Sequence, residues 1–251
     1  MSTTTAAALL PTAVAVVVLV AIASAALLLF GVRGSWGPAA AILRGTVQLA
    51  IISLILGGIL VDPMLIGLAL LVMFAVATAV AVRRIGGGRR AWAVMATSMA
   101  AGIGVSVIAI FSSGALEPTP RYALAIGAIV IGNTMNVATL TGRLFTGAVA
   151  DHWDEVEGWL ALGATPRRST RDLARRAVRE ALIPSIDQTK TTGLVVLPGA
   201  FVGAIFGGLS PVDAGRFQII VLAAIMAAGA VTAVLVATWQ GGVAIRVAAP
   251  A

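Results

Sequence analysis

The side chains able to do chemistry crowd into one stretch, Asp151–Lys190, which reads DHWDEVEGWLALGATPRRSTRDLARRAVREALIPSIDQTK. It carries seven of the chain's ten acids, seven of its 17 lysines and arginines, and its one histidine. Mixed charge of this kind, in a chain that is otherwise apolar, suits contact with a soluble partner better than bond making. A nucleotide site finds no motif: a phosphate-binding loop needs Gly-Lys-Ser/Thr, and Lys190, the single lysine, follows Thr189. Metal ligation is equally poorly provided for, and no metal site is expected. No Asp, Glu or His falls inside an apolar run, whereas hard and borderline cations want such ligands. Met95 and Met99, one helical turn apart, could suit soft copper, but core packing is the stronger reading. His152 stands alone at a position that fits a solvated ring. No nucleophile with a neighbouring base appears in the apolar runs, so the chain is not expected to be an enzyme.

A second set of polar residues sits within the apolar runs. Asn133, Asn136, Thr139 and Arg143 are spaced to share one helix face. Buried amides are unfavourable in lipid, so this face should turn to water or protein. Two readings stay open: a pathway-lining stripe, or hydrogen bonds between helices. Gly199, Gly203 and Gly207 repeat every fourth residue and form a ridge for close helix contact, within one subunit or across a dimer. Pro198 beside them would free a carbonyl near Leu194, and the resulting kink could act as a hinge or be merely structural. Asp187 and Lys190 are three apart and could pair, as an inner gate or as a solvated interfacial pair.

The elements that must position these residues are membrane helices. The chain is 59% hydrophobic and 11% charged, against about 25% charged in a soluble domain. Its apolar runs approach the ~20 residues that cross ~30 Å of hydrocarbon, and they are continuous rather than alternating, which predicts helices and not a barrel. Seven spans are expected, near 6–31, 45–61, 64–82, 91–112, 121–142, 192–209 and 217–239. The first lacks a basic leader and exceeds a signal-peptide core, so it is read as a retained helix. With Asp151–Lys190 placed inside, 15 of the 17 basic residues fall on that side, including Arg33, Arg44, Arg83, Arg84, Arg89, Arg90, Arg143 and Arg246. Arg121 and Arg216 fall outside. This asymmetry puts the N-terminus outside and the C-terminus inside. The expectation is one all-α transmembrane domain over residues 1–251, with 151–190 as a cytoplasmic loop. The net charge of +7 then reports topology and not nucleic-acid binding.

The charged stretch itself predicts two short helices. Trp153, Val156, Glu157, Leu160 and Gly163 follow helical spacing and extend the fifth span, with Gly163 as the stop. Thr165 and Pro166 are a cap and first-turn proline for the next. From there Leu173, Ala174, Ala177, Val178, Ala181 and Leu182 make an apolar stripe, and Pro184 bends or ends the helix. A basic amphipathic helix lying on anionic lipid fits the same pattern.

Several motifs carry a family resemblance. Glu157-Gly-Trp-Leu-Ala-Leu-Gly163 is similar to the opening of the coupling-loop motif of ABC importer permeases, though Gly158 and Trp159 replace its alanines. LALGATPRRS, REALIPSIDQTKTTGLVVLPG and GGLSPVDAGRFQI resemble the UPF0014 group of Fet-type iron-export permeases, whose plant relatives act in aluminium tolerance. RGTVQLAIISLILGGIL, at 44–60, resembles that family's second span, and GNTMNVATLTGR its fifth. The family continues Leu-Pro-Gly with Met-Met-Thr-Gly where this chain has Ala200, Phe201, Val202 and Gly203.

The resemblance implies the membrane subunit of an ABC transporter, exporting iron or another metal species from a prokaryotic cell across its cytoplasmic membrane. It implies two permease copies in the bilayer and separate ATP-binding subunits that hold the ATP and magnesium; no cofactor is expected on this chain. It implies that Glu157, Trp159, Leu160, Gly163, Thr165, Arg168 and Arg171 contact the ATP-binding subunit. Gln48 and Gln218 match family positions as further lining residues. A stand-alone secondary carrier is the alternative, but it calls for an intramembrane acid and for equal inverted halves, neither of which is visible. A retinal-binding receptor would need a lysine well inside a span, and Lys190 lies at a boundary.

Overall fold

A computed structural model describes the backbone of residues 3–59 and 62–245, and the side chains of 10–53 and 62–245. Leu60, Val61 and Arg246 lie outside the described residues. The described chain is helical throughout, and its packing divides it into two units, residues 1–61 and 62–251.

The first unit is a helical hairpin, α1 (Thr3–Leu29) and α2 (Gly37–Ile59). Gly31 and Gly34 turn the chain with φ of 77° and 83°, in the left-handed region that glycine enters without a Cβ clash. Val32 N–H donates back to the Leu27 carbonyl at 2.9 Å and closes the end of α1. Leu10–Leu29 is apolar on all sides, long enough to cross a bilayer, and largely unburied. Helix α2 starts upstream of the expected Gly45, because the turn is complete at Trp36. Arg44 therefore lies on the helix and not in the connection before it. Its described side chains, Gly37–Ser53, are an apolar stretch, and the helix continues to Ile59.

The second unit is a bundle of α3 (Pro63–Arg84), α4 (Arg89–Ser112), α5 (Pro120–Asp151), α8 (Arg171–Thr191) and α10 (Pro211–Gln240). Local chemistry sets the starts. Asp62 accepts from Met64 N–H at 2.8 Å, with Pro63 in the first turn. Thr119 caps α5 ahead of Pro120. Ser210 accepts from Asp213 N–H at 3.1 Å and donates to the Asp213 carboxylate at 2.6 Å. That cap starts α10 at Pro211, six residues ahead of the expected start of the last span. Five described helices are long and apolar enough to cross a membrane: the core of α1, then α3, α4, α5 and α10.

Helix α10 is the axis of this unit. It runs antiparallel to α4: Arg90 Nη2 donates to the Trp239 carbonyl at 3.5 Å, Thr232 Oγ1 to the Ser98 carbonyl at 3.3 Å, and Ser106 Oγ to the Ala224 carbonyl at 3.1 Å. Between them Gly102 lies directly on Ala228 and Thr232. Met95 and Met99 are fully buried against Ala77, Ala81, Ile131, Ala138 and Val236, as core residues. Helix α5 meets α3 at Gly127, where a Cβ would lie 2.8 Å from the end of the Leu70 side chain. One end of the bundle gathers Arg83, Arg84, Arg89, Arg90 and Arg143 around Ile85, Gly142 and Gln240. Arg121 and Arg216 sit at the other, where Tyr122 and Phe217 stack with ring centroids 5.7 Å apart.

Three expectations about residues 151–209 are corrected. The fifth span does not continue through Trp153: α5 ends at Asp151, and a break at His152 (ψ 34°) starts α6 (Trp153–Ala161). The second loop helix is not one piece from Pro166. A four-residue turn, α7 (Pro166–Ser169), precedes α8, which then runs straight through Pro184. The expected sixth span, 192–209, is not a helix of crossing length. Residues 192–198 are irregular, and α9 (Gly199–Phe206) has eight residues, about 12 Å. Its place in the bundle is taken by α8, which packs along both α5 and α10. Leu173, Ala177, Ala181 and Ser185, every fourth residue, form its buried edge. The first two join Phe145, Val149 and Val156 in a cluster of their own. Protein, not a lipid surface, covers the apolar stripe of this helix, and most of α8 is therefore not a loop beyond the bundle.

The α4–α10 seam should be intolerant of bulk. Gly102→Ala forces a methyl onto the Ala228 carbonyl and Thr232, an overpacking cost of about 1–3 kcal/mol. A melting temperature lower by about 2–10 °C is expected in detergent. Gly104→Ala, with open space around its position, should change it little.

Candidate functional site

Two surfaces carry the singled-out residues. The first is built by α6 and α7 at the arginine-rich end of the bundle. Val156 is buried and anchors α6 to Phe145 and Val149, with Trp153 and Leu160 half-buried beside it. The opposite side of α6 is left open. Glu157 is exposed, Trp159 is 45% exposed and Leu162 83% exposed. Gly163 ends the helix as predicted: at φ 84°, its N–H donates to the Leu160 carbonyl at 2.9 Å and Ala164 N–H to the Trp159 carbonyl at 3.0 Å. Thr165 caps α7 by backbone geometry alone, without a side-chain hydrogen bond. Thr170 then fastens the assembly. It is fully buried, and its hydroxyl lies 3.0 Å from the Pro166 carbonyl and 2.8 Å from the carbonyl of Gly241 at the end of α10. Arg167, Arg168, Arg171 and Arg175 line a groove of about 870 Å³ beside Val234, Ala237 and Thr238 of α10. This surface offers exposed aromatic and aliphatic anchors flanked by charge, the composition of a protein-docking site.

The second surface is the outward face of α8, a helix whose place between α5 and α10 sequence reasoning missed. Asp187 and Lys190 do pair, Oδ1 to Nζ at 3.6 Å, with 60% and 70% of their side chains exposed. Arg175 pairs with Asp172 at 3.2 Å nearer the start. Exposed pairs of this kind contribute at most about 1 kcal/mol, so they do not explain why the helix holds its place. The signal was present as the hydrophilic side of an amphipathic pattern longer than a loop needs.

The remaining candidates are scattered. On α5, Asn133 is half-buried with its amide donated to the Ile129 carbonyl at 2.8 Å, and Thr139 is buried with its hydroxyl on the Met135 carbonyl at 2.8 Å. Asn136 and Arg143 are exposed, so the stripe is split between interior and surface. Gln218 is 5% exposed in the α10 core. Gln48 is exposed on α2, in the first unit. Pro198 precedes α9 as its N-cap and frees no carbonyl inside a helix, so the expected kink does not form. Gly199 and Gly203 meet nothing within 4 Å beyond their own helix, and Gly207 meets only the carbonyls of Gly203 and Ala204. The ridge therefore makes no close contact within the described chain. No group of three or more His, Asp or Glu side chains gathers among the described residues.

Comparison with known proteins agrees with this helical architecture. The model of the uncharacterised protein family UPF0014 matches residues 10–241. The chain is 36% identical over 197 residues to the UPF0014 membrane protein STAR2 of Oryza sativa, covering 78% of this chain and 69% of that one. It is 33% identical over 201 residues to the UPF0014 membrane protein YjkA of Bacillus subtilis, covering 78% and 79%. A 120-residue stretch is 37% identical to the probable iron export permease protein FetB of Escherichia coli, covering 48% of this chain and 46% of that one. No solved structure matches. On a family match that spans nearly all of its length, this chain belongs to the UPF0014 family of membrane proteins.

Proposed function

We propose that the chain is the membrane-spanning permease subunit of an ABC transporter that exports iron or another metal species. Two copies form the route, and a separate ATP-binding subunit drives it. The observation that carries this reading is the α6–α7 surface. Trp159 and Leu162 are exposed at the arginine-rich end, where the bundle does not cover them. Short helices at that place can receive a rigid-body push from a soluble partner. Thr170 can pass it to both α8 and α10. The similarity to FetB supports export and the metal class.

The positive-inside rule sets the orientation. The end with Arg83, Arg84, Arg89, Arg90 and Arg143 faces the cytosol of a prokaryotic cell, and the N-terminus lies outside. The alternation still has seven passes, with α8 as the sixth in place of 192–209. The chain is not itself an enzyme, for ATP and magnesium belong to the partner.

Capture of the ATP-binding protein encoded beside this chain tests the assignment. Tagged wild-type chain should retain it through purification. Trp159→Ala and Glu157→Lys should lower the captured amount by about tenfold or more, as loss of an interface anchor does, while Val72→Ala on α3 should not. No capture by the wild type would favour a stand-alone carrier.

Transmission is tested separately. Thr170→Val keeps the side-chain shape and removes the donor to Gly241, a loss of about 1–2 kcal/mol at this joint. The variant should still capture the ATP-binding protein, and solute should no longer stimulate its ATP turnover.

A further inference from the structure

We infer that the exposed face of α8 lines a water-filled cavity at membrane depth, and that its arginine-rich mouth selects a solute leaving as an anion or anionic complex rather than as a bare cation. The inference rests on the permease reading above and names the substrate class of its route.

Depth comes from register. Thr170, just ahead of α8, bonds to Gly241, at the same end as Trp239 and its partner Arg90. Arginine and tryptophan together mark a membrane interface. Further along, a Cβ on Gly229 would lie 3.6 Å from Leu182 of α8 and 3.5 Å from Val137 of α5. From Gly241 to Gly229 is about 18 Å of helix rise, and from Leu182 to Lys190 about 12 Å more. Measured along α5 from Gly142, which lies against Ile85 and Gln240, the level of Leu182 is shallower, about 8 Å. On the shorter measure Asp187 and Lys190 lie about 16 and 20 Å into a hydrocarbon layer of about 30 Å, and on the longer Asp187 lies about 26 Å in and Lys190 at its far edge. Yet both are more than half exposed, and Ile183 on the same face is 45% exposed.

Charges cannot face lipid at that depth. A single Asp, Lys or Arg near the bilayer centre costs at least about 2.5–3.5 kcal/mol, and such groups turn to water or to protein. The buried edge of α8 is already committed to α5 and α10. Its opposite face is left to water, in a space that the second copy of the proposed dimer closes from lipid.

The charge of that space is uneven. Between Arg171 and Lys190 there are five cations and three acids, and Arg167 and Arg168 add two more cations at the mouth. Asp172 is engaged by Arg175 and Asp187 by Lys190, which leaves Arg171, Arg176 and Arg179 against one remaining acid, Glu180. A multivalent bare cation entering from the arginine-rich end would be repelled along the first half of the helix. Iron held by oxygen ligands with net negative charge would be drawn in. The deeper half then offers one carboxylate, one ammonium, and the amide and hydroxyls of Gln188, Thr191 and Thr192 to bind it.

The chain has no cysteine, so single introduced thiols report without background. Ile183→Cys and, as lipid-facing controls, Val72→Cys and Val76→Cys on α3 are placed in the full chain in lipid vesicles. Each is treated with two membrane-impermeant thiol reagents, anionic sulfonatoethyl and cationic trimethylammonioethyl methanethiosulfonate. Rates are normalised to a free thiol in solution. The thiol of the Ile183→Cys variant is expected to react with the anionic reagent, with a normalised anionic-to-cationic ratio of about ten, as a potential of about one kT imposes. Combining Arg176→Gln with Arg179→Gln should bring that ratio close to one. The α3 positions should stay unmodified. Modification of the Ile183→Cys variant no faster than of the α3 variants overturns the aqueous face. A ratio of one or below overturns the anion preference. Neither readout needs the ATP-binding subunit, so its outcome is separable from that of the capture experiment.

Discussion

The close approach of α4 to α10 is the constraint on which the second unit depends. In a bilayer, apolar surface gains nothing by leaving lipid for protein, so helices associate through fit and through polar groups that lack other partners. The seam supplies both. Gly102 removes the side chain where α10 crosses, and Ala228 is small on the other side. The hydroxyls of Ser106 and Thr232 reach carbonyls across the gap. Once α10 is fixed to α4, its other sides present Val221, Ile225, Gly229 and Val236 to α5 and α8. The arginine-rich end follows from the same antiparallel register.

Helix α8 shows what this frame tolerates. By composition it belongs in water, since eight of its 21 residues are charged. It holds a place in the bundle because its inner edge is narrow and smooth. Ala177, Ala181 and Ser185 allow α5 and α10 to come close, and Leu173 fills the wider space near Phe145 and Val149. Pro184 does not break it, because a proline on the exposed side removes one amide bond where water can replace it.

What could be read in the sequence follows from how local each signal is. The helical class, the core role of Met95 and Met99, the Gly163 stop and the Asp187–Lys190 pair all rest on spacing within a turn or two, and each is present. The start of α10 was also legible, as Ser210 and Asp213 around Pro211, but apolar length outweighed the cap. The sixth position was misread for a different reason. Hydropathy ranks 192–209 above 171–191, and hydropathy measures what lipid would accept. A helix whose outer face meets water is invisible to that scale. Asn133 and Thr139 illustrate a third limit: each side chain is satisfied on its own helix, so a polar residue in a span does not by itself require a hydrogen bond to a neighbouring helix.

The joint at Thr170 gives these parts a mechanical relation. Helices α6 and α7 are short and fastened at few points, by Val156 below and by Thr170 at the start of α8. A load on Trp159 and Leu162 therefore has two ways into the membrane, through the Phe145–Leu173 cluster to α5 and through Gly241 to α10. Both are walls of the groove in which α8 lies. Because packed interfaces shift between discrete arrangements rather than deform continuously, the coupling proposed above calls for α8 to shift as a unit against its neighbours. Its inner edge of alanine and serine presents few interlocking side chains to resist sliding. The same small residues that let a charged helix pack against α5 and α10 thus give the proposed coupling a seam with little in it to interlock.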